Sequence, residues 1–192
     1  IVGAGITGRS VARQKILSDS DCNILIIEKE HKLGMHGSGR NSGVLHSGIY
    51  YPSDTLKAKF CAEGSKLMSN YCEENSLPIV KCGKVILPTK IEDGSQIDLL
   101  YDRGINNGAL VEIISQEELS EIEPEAKTTT MGALYSPNTS VVDPRAILDN
   151  IKFNLEDSGV TILFNERVIS ADPGASIVET NNKNRFKYGN LI

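Results

Sequence analysis

The sequence predicts an α/β fold that opens with a Rossmann-like βαβ unit for a dinucleotide, and three observations predict it. Gly3-x-Gly5-x-x-Gly8 follows two apolar residues, Ile1 and Val2, and precedes a stretch with helical apolar spacing. A short run, Ile24-Leu25-Ile26-Ile27, lies where the second strand of such a unit belongs and reads as a parallel strand covered on both faces. Glu28 closes that run, 20 positions after Gly8, where this unit carries an acid for ribose hydroxyls.

Each element has its own signal. Ile1-Val2 is the tail of a buried strand, and the spacing predicts a helix over 7–18 with Val11, Ala12 and Ile16 on its inner face. Asp19-Ser20-Asp21 is a turn cluster. Residues 34–48 interleave glycines with Ser38, Ser42, Ser47, Arg40, Asn41, His36 and His46, which predicts a long loop of permissive backbone. A helix is expected over 53–75, because Leu56, Phe60, Gly64, Leu67 and Tyr71 recur as one apolar stripe requires. Cys61 and Cys72 return to one face of it and read as core thiols. Residues 85–87 and 111–114 read as strands, and 95–107 and 116–123 as helices. The acids at Glu117 and Glu118 suit the positive end of a helix dipole and a solvated face. Residues 132–135 suggest another strand and Pro137-Asn138 a turn. Asp143-Pro144 starts a helix that stops at Gly159. Residues 160–164 and 168–169 are strand-like, and 176–180 with 186–192 read as a hairpin around Asn181-Asn182.

Composition narrows the function. The 192 residues are enough to bury a core without staples, and 40% apolar with 23% charged residues are globular proportions. No apolar run approaches the ~18 residues of a membrane helix. A net charge of −5 without a basic block leaves no footprint for nucleic acid. The four cysteines show no C-x-x-C spacing, so neither a zinc knuckle nor a redox dithiol is suggested, and no metal site is expected. A reducing compartment is the default. The chain opens on Ile with only two residues ahead of the glycine motif and no signal or transit peptide, so a truncated piece of a longer protein is expected.

The glycine motif carries the chemistry. Gly3 allows the tight turn, Gly5 lets a pyrophosphate approach the backbone amides, and Gly8 lets the helix pack against the strand. Ile6 and Thr7 lie at the helix N-terminus, where unpaired N–H groups and the dipole favour phosphate. Glu28 suits the adenosine ribose and disfavours a 2′-phosphate, which argues against NADP. The fingerprint alone does not separate NAD from FAD. The serine- and glycine-rich loop with Arg40, followed by a long helix instead of another βα unit, favours FAD.

The segment Gly39-Arg40-Asn41-Ser42-Gly43-Val44-Leu45-His46-Ser47-Gly48-Ile49-Tyr50-Tyr51-Pro52 resembles the signature of the L-2-hydroxyglutarate dehydrogenases/oxidases, in the D-amino-acid-oxidase-like superfamily of FAD enzymes. The resemblance continues through Leu56-Lys57-Ala58-Lys59-Phe60-Cys61, Lys81-Cys82-Gly83-Lys84 and Val141-Val142-Asp143-Pro144-Arg145, and spans essentially the whole chain. Many relatives carry His where Arg40 stands and Tyr where Pro144 stands, so substrate identity could differ. The resemblance implies a Rossmann-like FAD-binding domain, incomplete here, from residues 1–78 and 143–192. Residues 79–142 would be part of an inserted α+β substrate domain.

It further implies FAD as cofactor across the first βαβ unit, held by Gly3, Gly5, Ile6, Thr7, Gly8 and Glu28. Lys29 would flank the ribose. Arg40, Asn41 and Ser42 would sit near the pyrophosphate and flavin, and the backbone of Val168 would touch the adenine. The implied reaction oxidises L-2-hydroxyglutarate, or a similar 2-hydroxy acid, to the 2-oxo acid, with the hydride going to flavin N5 while a base takes the hydroxyl proton. An imidazole, with its unperturbed pKa of about 6.5, suits that base, and His46 is the candidate. A structural role for His46, bonding to loop or flavin, stays open.

Tyr50 and Tyr51 either line the substrate pocket or pack under the long helix. Lys57 and Lys59 either attract a dianionic substrate or are simply solvated, and Arg145 is a pocket cation or a surface residue. His31 and His36 read as solvated loop residues, with approach of His36 to FAD as the alternative. The electron acceptor (a quinone, oxygen or an electron-transfer protein), peripheral membrane contact and the oligomeric state are left open. The implied location is the cytoplasm, at times at the inner membrane surface, or the mitochondrion in a eukaryote. Two rival functions stand beside this one. One is another FAD enzyme of the superfamily, acting on an amino acid, an amine or glycerol 3-phosphate. The other is a non-catalytic, nucleotide-binding fragment. Residues 1–192 alone are expected to hold FAD weakly and to expose apolar surface.

Overall fold

The computed structural model describes residues 1–88, 90–128 and 132–192. In chain order the elements are α1 (Ile6–Ser18), β1 (Leu25–Ile27), β2 (Val44–Leu45), α2 (Leu56–Glu74), β3 (Ile79–Val80), β4 (Lys84–Ile86), α3 (Gly94–Asn106) and β5 (Glu112–Ile114). There follow α4 (Gln116–Ile122), β6 (Ala133–Ser136), β7 (Ser140–Val142), α5 (Pro144–Asp157), β8 (Thr161–Leu163), β9 (Val168–Asp172), β10 (Ile177–Thr180) and β11 (Arg185–Lys187). The chain packs as two compact units, residues 1–41 with 144–192, and residues 42–143.

In the first unit β1 and β8 pair in parallel, Leu25 with Thr161 through Ile27 with Leu163. Val2 bridges to Ile27 on the other side of β1, and Gly3 N donates to Ile27 O at 2.8 Å, so the glycine turn leaves directly from the sheet. Val2 N donates to Ile192 O at 2.7 Å, which sets the first and last residues of the chain side by side. The terminal ammonium donates to Leu25 O at 2.7 Å, and burial pushes its pKa down. Helix α5 buries Ile147, Leu148, Ile151 and Leu155, a stripe of helical period that packs on α1. The expected inner face of α1 is only partly correct. Ala12 is buried, but Val11 and Ile16 keep part of their surface, and Arg9 is fully buried instead. Its Nη1 donates to the Leu148 carbonyl on α5, a tertiary contact that apolar periodicity would never assign to an arginine. Strands β9, β10 and β11 form an antiparallel sheet, with a bulge where β9 passes Glu179 and Thr180 and Ile169 is the extra residue.

The second unit has two antiparallel sheets, β2-β7-β3 and β4-β6-β5. Ile49, Ile97, Val111 and Leu134 make one core cluster, and Ile114, Leu119 and Ala133 another. Here α2 corrects the expectation. Leu56, Phe60 and Leu67 are 69%, 62% and 69% exposed, and of that stripe only Tyr71 is buried. The helix turns inward a face of small residues, Ala58, Cys61, Ala62, Ser65, Ser69 and Cys72, all buried or half-buried. Those residues share helical spacing, and their size lets the backbone approach its neighbours closely. Residues 42–78, expected with the cofactor-binding part, pack with 79–143, because β7 pairs with both β2 and β3. All four cysteines are free. No helix among the described residues is long and apolar enough to cross a membrane.

Candidate functional site

The glycine turn is built by close approach. Gly3 has φ +100°, a conformation L side chains rarely adopt, and a Cβ on Gly8 would lie 2.1 Å from the Gly3 carbonyl oxygen. Gly5 is the N-cap of α1 and supplies no side-chain acceptor. That role falls to Ser38, whose Oγ accepts from Ile6 N at 3.0 Å. A Cβ on Gly5 would meet the same Oγ at 3.2 Å. The turn is therefore a cradle with glycine walls and a hydroxyl at its rim. Ser38 escaped the sequence reading, because an aperiodic loop carries no signal of what it folds onto.

Glu28 fastens the other side. Its Oε2 accepts from Ala4 N at 2.7 Å and its Oε1 from Glu30 N at 2.9 Å. A carboxylate has roughly four lone-pair sites, so both oxygens retain capacity for ribose hydroxyls. Asn41 braces the loop from below: its Nδ2 donates to Gly37 O at 3.0 Å and Ser38 O at 3.1 Å. It thus holds the short 3₁₀ turn Gly37–Gly39 that carries Ser38. Lys29 Nζ lies 3.9 Å from Glu30 Oε1, and the same oxygen meets His36 Nε2 at 2.8 Å. The hydrogen bond from His36 holds the Glu30 carboxyl below its usual range. Arg40 is exposed and lines a cleft of about 490 Å³ with His31, Lys32, Arg145, Leu148 and Lys152. Val168 opens β9 and pairs with Thr180 at the bulge. A diphosphate fits this arrangement. The first turn of α1 offers amides without a cap from its own N-cap residue, and the Ser38 hydroxyl can donate as readily as it accepts.

Ser42, His46, Tyr50 and Tyr51 belong to the second unit. Ser42 is exposed. The structure brings His46 and Tyr50 together, their ring centroids 6.1 Å apart and nearly perpendicular. Lys84 Nζ, from β4, donates to Tyr50 Oη at 2.9 Å and lies 4.4 Å from the centre of that ring. The Cys61 thiol, from α2, donates to the His46 carbonyl at 3.1 Å. Burial, and then the Lys84 charge, push the His46 pKa down, so its ring is neutral at pH 7 and keeps a basic nitrogen. Tyr51 lies apart from this cluster, with Lys57 Nζ 5.1 Å from its ring centre. Asn107, just beyond α3, donates to Gly48 O and Tyr51 O at 2.9 Å each and so fixes the loop that presents both tyrosines. Neither Lys84 nor Asn107 stood out in the sequence as a site residue, since each acts through a fold contact distant in sequence. Among the described residues no group of three or more His, Cys, Asp or Glu is placed to hold a metal ion.

Residues 1–190 match the family described as FAD dependent oxidoreductase (DAO). The mitochondrial L-2-hydroxyglutarate dehydrogenase of Pongo abelii is 37% identical over 169 residues, which are 88% of this chain and 40% of that protein. Its counterpart in Dictyostelium discoideum is 41% identical over 149 residues, 77% of this chain and 33% of that one. The chain thus spans well under half the length of either relative. Among solved structures, the L-α-glycerophosphate oxidase of Mycoplasma pneumoniae with FAD bound superposes with a TM-score of 0.83 at 27% identity, over 94% of this chain and 48% of that one.

Proposed function

The chain belongs to the FAD-dependent oxidoreductase (DAO) family, whose cofactor is FAD, and on that premise we propose that it carries the FAD cradle of an enzyme oxidising L-2-hydroxyglutarate, or a close 2-hydroxy acid, to the 2-oxo acid. The observation that carries the cofactor half is the Glu28 carboxylate bonded to the Ala4 amide, which ties the strand-end acid to the glycine turn as one receptor. Gly3, Gly5 and Gly8 keep the backbone open, the Thr7 amide and the Ser38 hydroxyl that caps the Ile6 amide face the diphosphate, and Glu28 takes the ribose. Lys29, Arg40, Asn41 and the Val168 backbone complete the set, Asn41 by holding Ser38 in place. Bound FAD supplies the acceptor for the hydride. His46, neutral at pH 7, receives the hydroxyl proton on its free ring nitrogen, beside Tyr50. The substrate half is supported by relatives at 37% and 41% identity that are named as L-2-hydroxyglutarate dehydrogenases. Given those names, a mitochondrial setting is the reading if the source is a eukaryote.

The test is anaerobic reduction of the FAD-loaded enzyme. L-2-hydroxyglutarate is expected to bleach the visible flavin band. Bleaching by glycerol 3-phosphate or an amino acid, with the hydroxy acid inert, would overturn the substrate. The glycerol phosphate arm is chosen because of the Mycoplasma neighbour.

A further inference from the structure

The segment Lys81-Cys82-Gly83-Lys84 ends on a cation that the scheme above leaves idle. Its placement is fixed by the fold. Gly83 has φ +69° and would press a Cβ within 2.8 Å of the Tyr135 hydroxyl, and its N–H donates to Thr139 O at 2.9 Å. Lys84 then opens β4, paired with Ser136 on β6. Its ammonium meets the Tyr50 hydroxyl and ring, and Tyr50 in turn meets the His46 ring. Three other lysines are held by acids: Lys81 pairs with Glu73, Lys152 with Glu156, Lys29 with Glu30. No carboxylate among the described residues lies within ion-pair distance of Lys84, whose contacts are the Tyr50 hydroxyl and ring. The groups around His46 are Tyr50 on its own loop, Lys84 from β4 and Cys61 from α2; none of them is an acid.

We propose that Lys84 is the carboxylate anchor of the His46 site, a specificity-determining residue that selects an anionic hydroxy acid and delivers it to the imidazole. This rests on the reading that His46 faces the substrate hydroxyl. Tyr50 holds the ammonium in position by its oxygen and by its ring face, a cation–π contact. An arriving carboxylate outcompetes the phenol, because it meets the ammonium with a full opposite charge where the hydroxyl offers only a dipole. It also offsets the positive charge beside His46. The imidazole then binds a proton more readily when substrate is present than when the site is empty. Substrate binding thereby strengthens its own base.

The experiment is an NMR titration of the 192-residue chain, which has only three histidines, so H31N and H36N variants assign the His46 ring signals. Three results are expected. In the free chain the His46 midpoint lies below that of an ordinary imidazole; K84M raises it and K84R leaves it low. L-2-hydroxyglutarate moves the His46 signals saturably and raises the midpoint, while glycerol does neither. Affinity falls roughly tenfold or more in K84M, the loss of a hydrogen bond to a charged group, and recovers in part in K84R. Equal affinity in K84M, a response confined to His31 and His36, or no saturable response of the unaltered chain each overturns the proposal. Should K84M fail to fold, Y50F keeps the ring and removes the phenol, and it is expected to loosen the anchor and shift the His46 midpoint. The two readings fail separately. Flavin in the loaded enzyme that is not bleached, with the Lys84-dependent NMR response intact, sinks the reaction and leaves the anchor. Flavin bleached as fast, and at as low a substrate concentration, in K84M as in the unaltered enzyme sinks the anchor and leaves the reaction.

Discussion

Gly8 and His46 allow the sharpest statements about single residues. A methyl group on Gly8 would sit 2.1 Å from a backbone oxygen that cannot rotate away, so Gly8→Ala must move either the turn or the helix. The expected cost is about 2 kcal/mol or more, as for overpacked cores, with loss of FAD binding; chemical denaturation and quenching of flavin fluorescence measure the two. For His46 the sign follows from its lowered pKa. The ring is neutral at pH 7 and becomes protonated only below the ordinary imidazole range. The acid limb of turnover therefore falls at a pH lower than ~6.5, and a pH profile of kcat/KM with its limb at or above that value would remove His46 as the base. Glu28 was legible in the sequence because a strand end and a fixed spacing from a glycine motif locate an acid without any tertiary knowledge. Ser38 was not, since its role depends on a contact 32 residues back along the chain.

Among the elements, α2 illustrates how periodicity can mislead. Two stripes share the helical repeat, one of large apolar residues and one of small ones, and the fold buries the small one. A hydrophobicity pattern weighs size and apolarity, whereas close packing against a loop selects for small volume. The start of the helix is conventional: Thr55 Oγ1 accepts from Ala58 N at 3.2 Å. Thr55→Ala is expected to cost about 1 kcal/mol in thermal or urea unfolding. The short strands β2, β3 and β7 were invisible beforehand because pairs of two or three residues are defined by partners some 60 to 100 positions away, not by local pattern. The β10–β11 hairpin, by contrast, was read from its Asn-rich turn. Glu166 ties that turn down, lying against Thr180 and accepting from Asn182 Nδ2 at 3.0 Å and Asn184 Nδ2 at 2.7 Å. The adjacent Thr180 hydroxyl first, then the hydrogen bonds of the asparagines, lower its pKa. A carboxyl lowered in the folded state stabilises fully above its unfolded value near 4.5, and that contribution disappears as pH falls through the folded value. Glu166→Gln is therefore expected to speed amide exchange over residues 180–185 at pH 7, with the difference from the unaltered chain closing toward pH 3.

At the scale of the molecule, Leu56, Phe60 and Leu67 leave an apolar strip facing water on a chain that spans less than half the length of its relatives. Self-association at high concentration is expected, and Phe60→Lys should shift the sedimentation profile toward monomer without changing the melting temperature by more than a degree or two. The joined positions of Val2 and Ile192 carry a different consequence. A short glycine bridge between the ends would turn the polypeptide into a ring, and the new amide would keep the N–H that the ammonium now directs to Leu25. Ring closure removes conformations from the denatured chain and leaves the native one nearly untouched, so the cyclic form should melt several degrees higher. Cut open instead at the exposed tip around residues 173–175, the same ring would give a permuted protein whose new ends lie at the far side of the β9–β10 turn.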